Sequence, residues 1–327
     1  MILQLLNALR SLPDRLQEVS SQLATLLKRL SQLTQKLNKL ERQTQSLRII
    51  RSSKVLAALS TDEFLAVCRL ACHSTYLGDQ VVLCRILSGF MLYGDARDAQ
   101  ILPHFCLNGF WEPSLTLLML RTVQPGWYCL DIGANQGYHT VVMACAAGAA
   151  GRVVAVEPNP RLVALMQKTV LANGFNAWTN IVPKAVSDRA GETVQLSVLP
   201  DCPGGASIMW NLSPAAESIA AETTTVDQLT ADWQRVDFIK IDVEGAEEQV
   251  WRGMQKTIQL NPQLIIVMEF AAERYANPKA FLEEVQATGF QLTSVEPGAE
   301  LRSLTIEQCL AEPASRLWEL FLRRATV

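Results

Sequence analysis

The sequence has 327 residues, 49% of them apolar, and a formal charge of only −3. That length supports one large domain or two ordinary ones with a substantial core. It does not suit a disulfide-stapled scaffold: the eight cysteines (68, 72, 84, 106, 129, 145, 202 and 309) form no CxxC pair and mostly sit in apolar runs such as "VVLCRIL", as buried thiols of a reducing compartment do.

Charge is unevenly spread. Residues 1–54 hold ten Lys/Arg against three Asp/Glu, a balance of +7, which leaves 19 against 29, or −10, for the rest. The acidic remainder disfavours a phosphate backbone, so no nucleic-acid partner is expected. The N-terminus has neither a basic n-region nor a small-residue cleavage site, and no apolar stretch approaches the ~18 residues that cross a bilayer. The expected location is cytoplasmic, with peripheral contact at the inner face of the membrane as an alternative.

Positions 9, 12, 16, 19, 23, 26, 30, 33, 37, 40, 44 and 47 alternate in steps of three and four and are Leu or Val except Thr44. This heptad seam predicts a coiled coil over residues 1–54 and a homo-oligomer through residues 9–47. "SLPD" at 11–14 resembles a capping box that starts the helix, and Lys36 with Glu41 gives weak support to a parallel arrangement. A single amphipathic helix lying on a membrane is the rival reading.

Residues 55–125 form a lead-in segment. The pattern "SKVLAALSTDEFLAVCRLA" is helical, "QVVLCRIL" and "GFMLYGD" are strand-like, and "DARD" is an acidic turn before a helix near "WEPSLTLLML". Cys68, Cys72 and His73 in "CRLACH" lie in a helical pattern without further ligands, so no metal site is assigned.

From residue 126 to 327, apolar strands alternate with helical patterns: "WYCLDIG", "RVVAVEP", "NIVPKAV", then an irregular insert, "VDFIKID", "LIIVMEF", "FQLTSVE" and "RLWELFLRR". Alternation of this kind predicts an α/β domain with a mainly parallel sheet and helices on both faces. Ligands of such sheets bind beyond the carboxyl ends of the strands.

The first strand ends in D-x-G-x-N-x-G, with Asp131, Gly133, Asn135 and Gly137. A dinucleotide turn would carry a middle glycine, and a carboxylate there would oppose a pyrophosphate. An ammonium or sulfonium ligand suits Asp131 better, while the free amides of the following helix suit a carboxylate. Glu157 ends the second strand 24 residues after Gly133, where an acid accepts ribose hydroxyls. A nucleoside bearing an amino acid meets all these demands, which points to S-adenosyl-L-methionine.

At this point the sequence resembles the FkbM family of S-adenosylmethionine-dependent methyltransferases over roughly residues 78–325. The matching stretches are "DARDAQILPHFCLNGFWEP", "DIGANQGYHTVVMA", "VVAVEPNPRLVALMQKTVLANG", "KAVSDRAG", "TTTVDQL", "IKIDVEGAEEQVWRGM" and "LIIVMEF". The resemblance implies a Rossmann-like class I methyltransferase fold with a seven-stranded sheet. It also implies O-methylation of a hydroxyl on a sugar, glycoconjugate or natural product. The coiled coil lies outside it.

Cofactor contacts are expected from Glu112, Asp131, Gly133, Asn135, Gly137, Glu157, Pro158, Ala185, Val186 and Asp242. Glu112 could equally be a first-turn acid for its own helix. "KAVSD" should wall the adenine, although the acid expected at that strand end is displaced to Asp188. Candidate bases for the hydroxyl proton are Asp242, Glu244 and Glu269, with Lys240 orienting Asp242 and His139 as a further candidate. Asp242 with Glu269 could instead hold a divalent cation. Residues 200–214, with Trp210, read as a mobile acceptor loop or a surface excursion. No (N/D)PP(Y/F) element follows the fourth strand, which argues against N-methylation. A lapsed methyltransferase acting as a scaffold for the coiled coil is the remaining alternative.

Overall fold

The computed structural model describes residues 17, 21–35, 49–209, 216–311, 313 and 316–325. Met1–Arg48 and Ile49–Val327 form two separate units. In the first, residues 21–35 are helical, and Leu23, Leu26, Leu30 and Leu33 of the heptad seam stand 57–62% exposed. The remaining seam positions, the "SLPD" start and the Lys36–Glu41 pair lie outside the described residues. No described helix is long and apolar enough to cross a membrane.

The second unit begins with two helices, Ser53–Ala58 and Thr61–Ala71, where the sequence pattern suggested one. The break is at Ser60, whose hydroxyl accepts from the Glu63 amide while the Glu63 carboxylate accepts from the Ser60 amide. This reciprocal cap starts a new helix better than it could continue an old one. An antiparallel meander follows, with β1 (His73–Gly78), β2 (Val81–Ile86) and β3 (Phe90–Asp95). Strand β1 was not anticipated, because it is a largely exposed edge with no apolar alternation.

The free edge of β3 faces the helix Pro160–Asn173. Its outward amides are taken up by side chains: Met91 N–H donates to Asn173 Oδ1 and Tyr93 N–H to Thr169 Oγ1, both at 2.9 Å. At the end of the strand the "DARD" turn places the buried Asp95 between Arg97 and Arg161. Burial opposes its charge, but the two guanidiniums hold its carboxyl below the usual range. The lead-in segment is thereby fastened to the sheet domain.

The remaining strands are β4 (Tyr128–Ile132), β5 (Arg152–Val156), β6 (Thr179–Val182), β7 (Ala185–Val186), β8 (Thr193–Leu199), β9 (Cys202–Ser207) and β10 (Glu217–Thr224). They continue with β11 (Phe238–Ile241), β12 (Ile265–Phe270), β13 (Phe290–Gln291), β14 (Thr293–Glu296), β15 (Glu300–Ser303) and β16 (Trp318–Arg324). The main sheet has the order β15-β14-β16-β12-β11-β4-β5-β6, with β13 also pairing with β16. Strands β6, β5, β4, β11 and β12 are parallel, while every pairing of β13 to β16 is antiparallel. The sheet therefore has nine strands where seven were expected, and half of it is mixed: "FQLTSVE" divides at Leu292, and its second part turns back as β15.

"NIVPKAV" also divides, because Pro183 has no amide with which to continue a ladder. Its second half, β7, joins another sheet of order β7-β10-β8-β9. The segment read as an irregular insert is thus a mostly antiparallel sheet, and the supposed acceptor loop contains the strand β9. Trp210 and residues 211–215 lie outside the described residues.

Side-chain alternation sorts the main sheet into two faces. Leu130, Ile132, Val154, Val156, Ile239, Ile241, Ile266 and Met268 share one core cluster with Trp251, Phe281 and Val285. Asp131, Lys240 and Glu269 are out of phase with that set, and Glu319 pairs directly with Glu269. The neighbours of β4 run on to opposite edges of the sheet, so the chain reverses its strand order there, where ligands of open α/β sheets bind.

Candidate active site

The loop after β4 closes on protein as much as on open space. Gly133 has φ +79°, and a Cβ on it would overlap the Asp242 carbonyl. Gly137 has φ +84°, and a Cβ there would press on the Met166 side chain. Both glycines are required for packing between strand ends and against the neighbouring helix, and Gly133 also lines the cleft described below. Between them Asn135 adopts a left-handed φ of 51° without being glycine. Gly204 of β9 packs onto the Asn135 amide with no room for a side chain.

That backbone twist aims the Asn135 amide at Glu157, with N–H donating to Oε2 at 2.9 Å, while the Asn159 amide donates to Oε1 at 2.8 Å. Burial pushes the Glu157 carboxyl up to about 7, against the pull of the two amides. The result is an acid of fixed orientation at the end of β5 with lone pairs left over. It lines a cleft of about 380 Å3 whose walls include Gly133, Asn135, Pro158, Ala185 and Val186 on one side and Glu112, Asp242, Glu244 and Glu269 on the other. A pocket of this size suits a small organic ligand. Asp188, bonded to the Ser187 hydroxyl, is not on its wall.

Asp131 and Gly137 are not on that wall either. Asp131 is fully buried, accepting the Thr140 hydroxyl on Oδ2 at 2.6 Å, while its Oδ1 has no partner. Burial raises its carboxyl above the usual range, with Lys240 pulling the other way. Lys240 is the strand neighbour of Asp131 and donates from Nζ to Asp242 Oδ2 at 2.8 Å. Burial works against this ammonium, but Asp242, Asp131 and Glu112 around it raise it above the ordinary lysine value. Lys240 and Asp242 therefore form the pair expected from their alternation.

A second cation organises the far end. Arg274 donates from Nη1 to Glu269 and from Nη2 to Glu244 Oε2, the latter at 2.9 Å. Burial, then Asp242, pushes Glu244 up to about 7 and Glu269 up to about 8. Glu319 faces Glu269 from β16, and burial, then Glu112, holds it well above its usual value. Glu247 closes the "DVEG" turn by accepting the amides of Val243 and Gly245 at 3.2 Å each. Among the described residues no group of three or more His, Cys, Asp or Glu is arranged to hold a metal ion. Asp242 and Glu269, read as an alternative cation site, are instead neutralised by Lys240 and Arg274.

Glu112 precedes the helix Pro113–Thr122 in a left-handed conformation, φ 40°, and its side chain does not cap that helix. His139 is buried at the start of the helix Tyr138–Ala147, beside a smaller cavity of about 40 Å3 shared with Trp111, Asn135, Lys240 and Asp242.

Ten expected residues thus line one or both of these spaces: Glu112, Gly133, Asn135, Glu157, Pro158, Ala185, Val186, Asp242, Glu244 and Glu269. His139 and Lys240 reach only the smaller one. Sequence reasoning missed Trp111, Arg274 and Glu319. Trp111 adjoins Glu112 in "FWEP", and Glu319 is an acid inside the apolar run "LWELFL", which was a usable signal. Arg274 lies in a three-residue 3-10 turn with no periodicity to mark it.

No curated protein compared with the sequence matches it. Among solved structures, a SAM-dependent O-methyltransferase from Thermotoga maritima is 14% identical with a TM-score of 0.38, covering 75% of this chain and 78% of that one. An O-methyltransferase from Bacillus cereus, solved in complex with SAH, is 14% identical with a TM-score of 0.39, covering 65% and 80%. The methyltransferase FkbM from Methylobacillus flagellatus is also 14% identical, with a TM-score of 0.36; the match takes in 60% of this chain but only 42% of that one. Residues 131–292, from the buried acid of β4 to just past β13, match the family model described as the methyltransferase FkbM domain. That match to the FkbM methyltransferase domain takes in just under half of the chain.

Proposed function

We propose that this chain is an S-adenosylmethionine-dependent O-methyltransferase acting on a hydroxyl of a sugar, glycoconjugate or natural product. The observation that carries the cofactor assignment is Glu157, presented to the cleft with one backbone amide on each carboxylate oxygen. Such an acid is oriented before any ligand arrives and accepts a pair of ribose hydroxyls without reorganisation. Pro158, Ala185 and Val186 give the apolar wall an adenine needs.

When bound, S-adenosylmethionine supplies an electrophilic methyl group on a sulfonium. The protein's own part is to hold an acceptor hydroxyl in line and to remove its proton. Trp111 offers an apolar face to a sugar ring, while Asp242, Glu244 and Glu269 offer acceptors to its hydroxyls. Held by Lys240 and Arg274, these carboxylates orient an acceptor better than they deprotonate one. Calorimetric titration with S-adenosylmethionine should give micromolar binding, and labelled cofactor should methylate a glycolipid extract. A protein that binds no cofactor would support the scaffold reading.

The exposed leucines at 23, 26, 30 and 33 favour a separate assignment, self-association through the heptad seam. Changing all four to Ser in the full chain should lower the mass seen by light scattering and leave cofactor affinity unchanged. An unchanged mass would remove that assignment.

A further inference from the structure

The acids around the cleft differ in how fully they are engaged. Asp242 is bound to Lys240, Glu244 and Glu269 share Arg274, and Glu157 and Glu247 each hold two backbone amides. A carboxylate tied to a buried cation is a poor proton acceptor, since protonation must break that ion pair. Glu112 is different: its Oε2 is buried with no hydrogen-bond partner. It lies 3.4 Å from His139 Nε2, which is also without one. His139 itself is 93% buried, being only 7% exposed.

Two buried lone pairs would not be held face to face, so one proton belongs between these atoms. Glu112 is also kept in a left-handed backbone conformation that is costly for a side chain of its kind, and such strain concentrates at functional sites. From this geometry we infer that Glu112 is the base that takes the acceptor hydroxyl's proton, with His139 as the positioning residue that aims its carboxylate. The proposal rests on the methyltransferase reading above and supplies its missing proton acceptor.

The step balances within the chain. The O–H bond of the acceptor breaks, a new O–H bond forms on a Glu112 carboxylate oxygen, and the electron pair left on the acceptor oxygen becomes available for the methyl group. His139 stays neutral throughout, because burial and then Lys240 hold it well below its usual value. It therefore keeps Nε2–H directed at Glu112 and carries no charge away. Burial raises Glu112 to about 7, with Lys240 opposing, Asp242 reinforcing and the Trp111 indole as its hydrogen-bond neighbour. Glu319 and Tyr138 also face it. A carboxyl in that range ionises near neutrality while remaining a competent base.

The chain has three histidines, so the nitrogen spectrum of imidazole-labelled protein is simple to assign. Without any ligand, His139 should appear as the neutral Nε2–H tautomer from pH 5 to 9, with an inflection near 7 that reports Glu112. In Glu112→Gln the inflection should vanish. An Nδ1–H tautomer, or an inflection that survives in Glu112→Gln, would overturn the pairing. In the loaded enzyme, transfer of labelled methyl to a glycolipid extract should rise with pH to a break near 7 and fall on the order of 100-fold in Glu112→Gln. Calorimetric affinity for S-adenosylmethionine should move by less than about threefold, the effect of losing proton transfer and not binding. His139→Gln, which retains an N–H donor, should keep the break, and His139→Leu should displace it. Full turnover in Glu112→Gln would sink the base assignment. Absence of cofactor binding in the parent protein would instead sink the methyltransferase reading, with the imidazole inflection still deciding the pair.

Discussion

The two ends of the cleft hold their acids in different ways. Beyond β4 and β5, Glu157 is fixed by backbone amides, and backbone positions are set by the fold. Beyond β11, β12 and β16, Asp242, Glu244 and Glu269 are fixed by two side-chain cations, with Glu319 paired across the strands to Glu269. The first arrangement is rigid and specific for one donor geometry. The second can exchange partners, and its balance depends on pH. An invariant cofactor suits the former and a variable acceptor the latter.

Gly133 joins the two ends, and substitution there should have the largest effect. Gly133→Ala adds a Cβ that overlaps the Asp242 carbonyl at a positive φ, which should cost about 3 kcal/mol or more from strain and overpacking. Denaturant unfolding would measure it, and a neutral substitution would break the claim that the strand ends are in contact.

Glu157→Ala comes next. Loss of charge-assisted hydrogen bonds of about 1.5–3 kcal/mol predicts cofactor binding weaker by roughly 10- to 150-fold, and the two amides left unmet should also lower the melting temperature. If affinity is kept, the amide-held acid is not a ligand contact.

Arg274→Met tests the opposite end. It leaves Glu269 and Glu244 without their cation, so the loss should approach ~3 kcal/mol at pH 8. It should be smaller at pH 5, where both acids are protonated. Equal losses at both values would mean that Arg274 acts by packing alone.

The pH dependence of the unaltered protein tests both ends together. Glu112, Glu157, Glu244 and Glu269 titrate at about 7, 7, 7 and 8 when folded, against an ordinary glutamate near ~4.3 when unfolded. Raised acids favour the folded state most at low pH, and that contribution is lost as pH rises from about 4 through 8. Ligand-free protein should therefore melt at a lower temperature at pH 8 than at pH 5.5, and Glu269→Gln should flatten the slope.

The amide-held end was the more legible of the two in the sequence. Asp131, Gly133, Asn135 and Glu157 follow directly on apolar strands, so their places at the strand ends could be read from local pattern. What they touch could not be: the glycines serve Asp242 and Met166, which lie 109 and 29 residues further along the chain. At the other end, Arg274 and Glu319 meet Glu269 only through the pairing of β12 with β16, a contact between distant segments that no window of sequence displays. The second sheet escaped notice for a different reason. Strand β10, "ESIAAETT", is largely polar and has no apolar alternation along its length, so the sequence pattern did not mark it.

The seal on β3 has a consequence for solubility. By meeting the amides of Met91 and Tyr93, Asn173 and Thr169 end the meander much as another strand would, and deny that edge to a foreign chain. Replacing both with Leu and Val would preserve the helix yet expose a row of unmet donors. Protein altered in this way should aggregate on concentration.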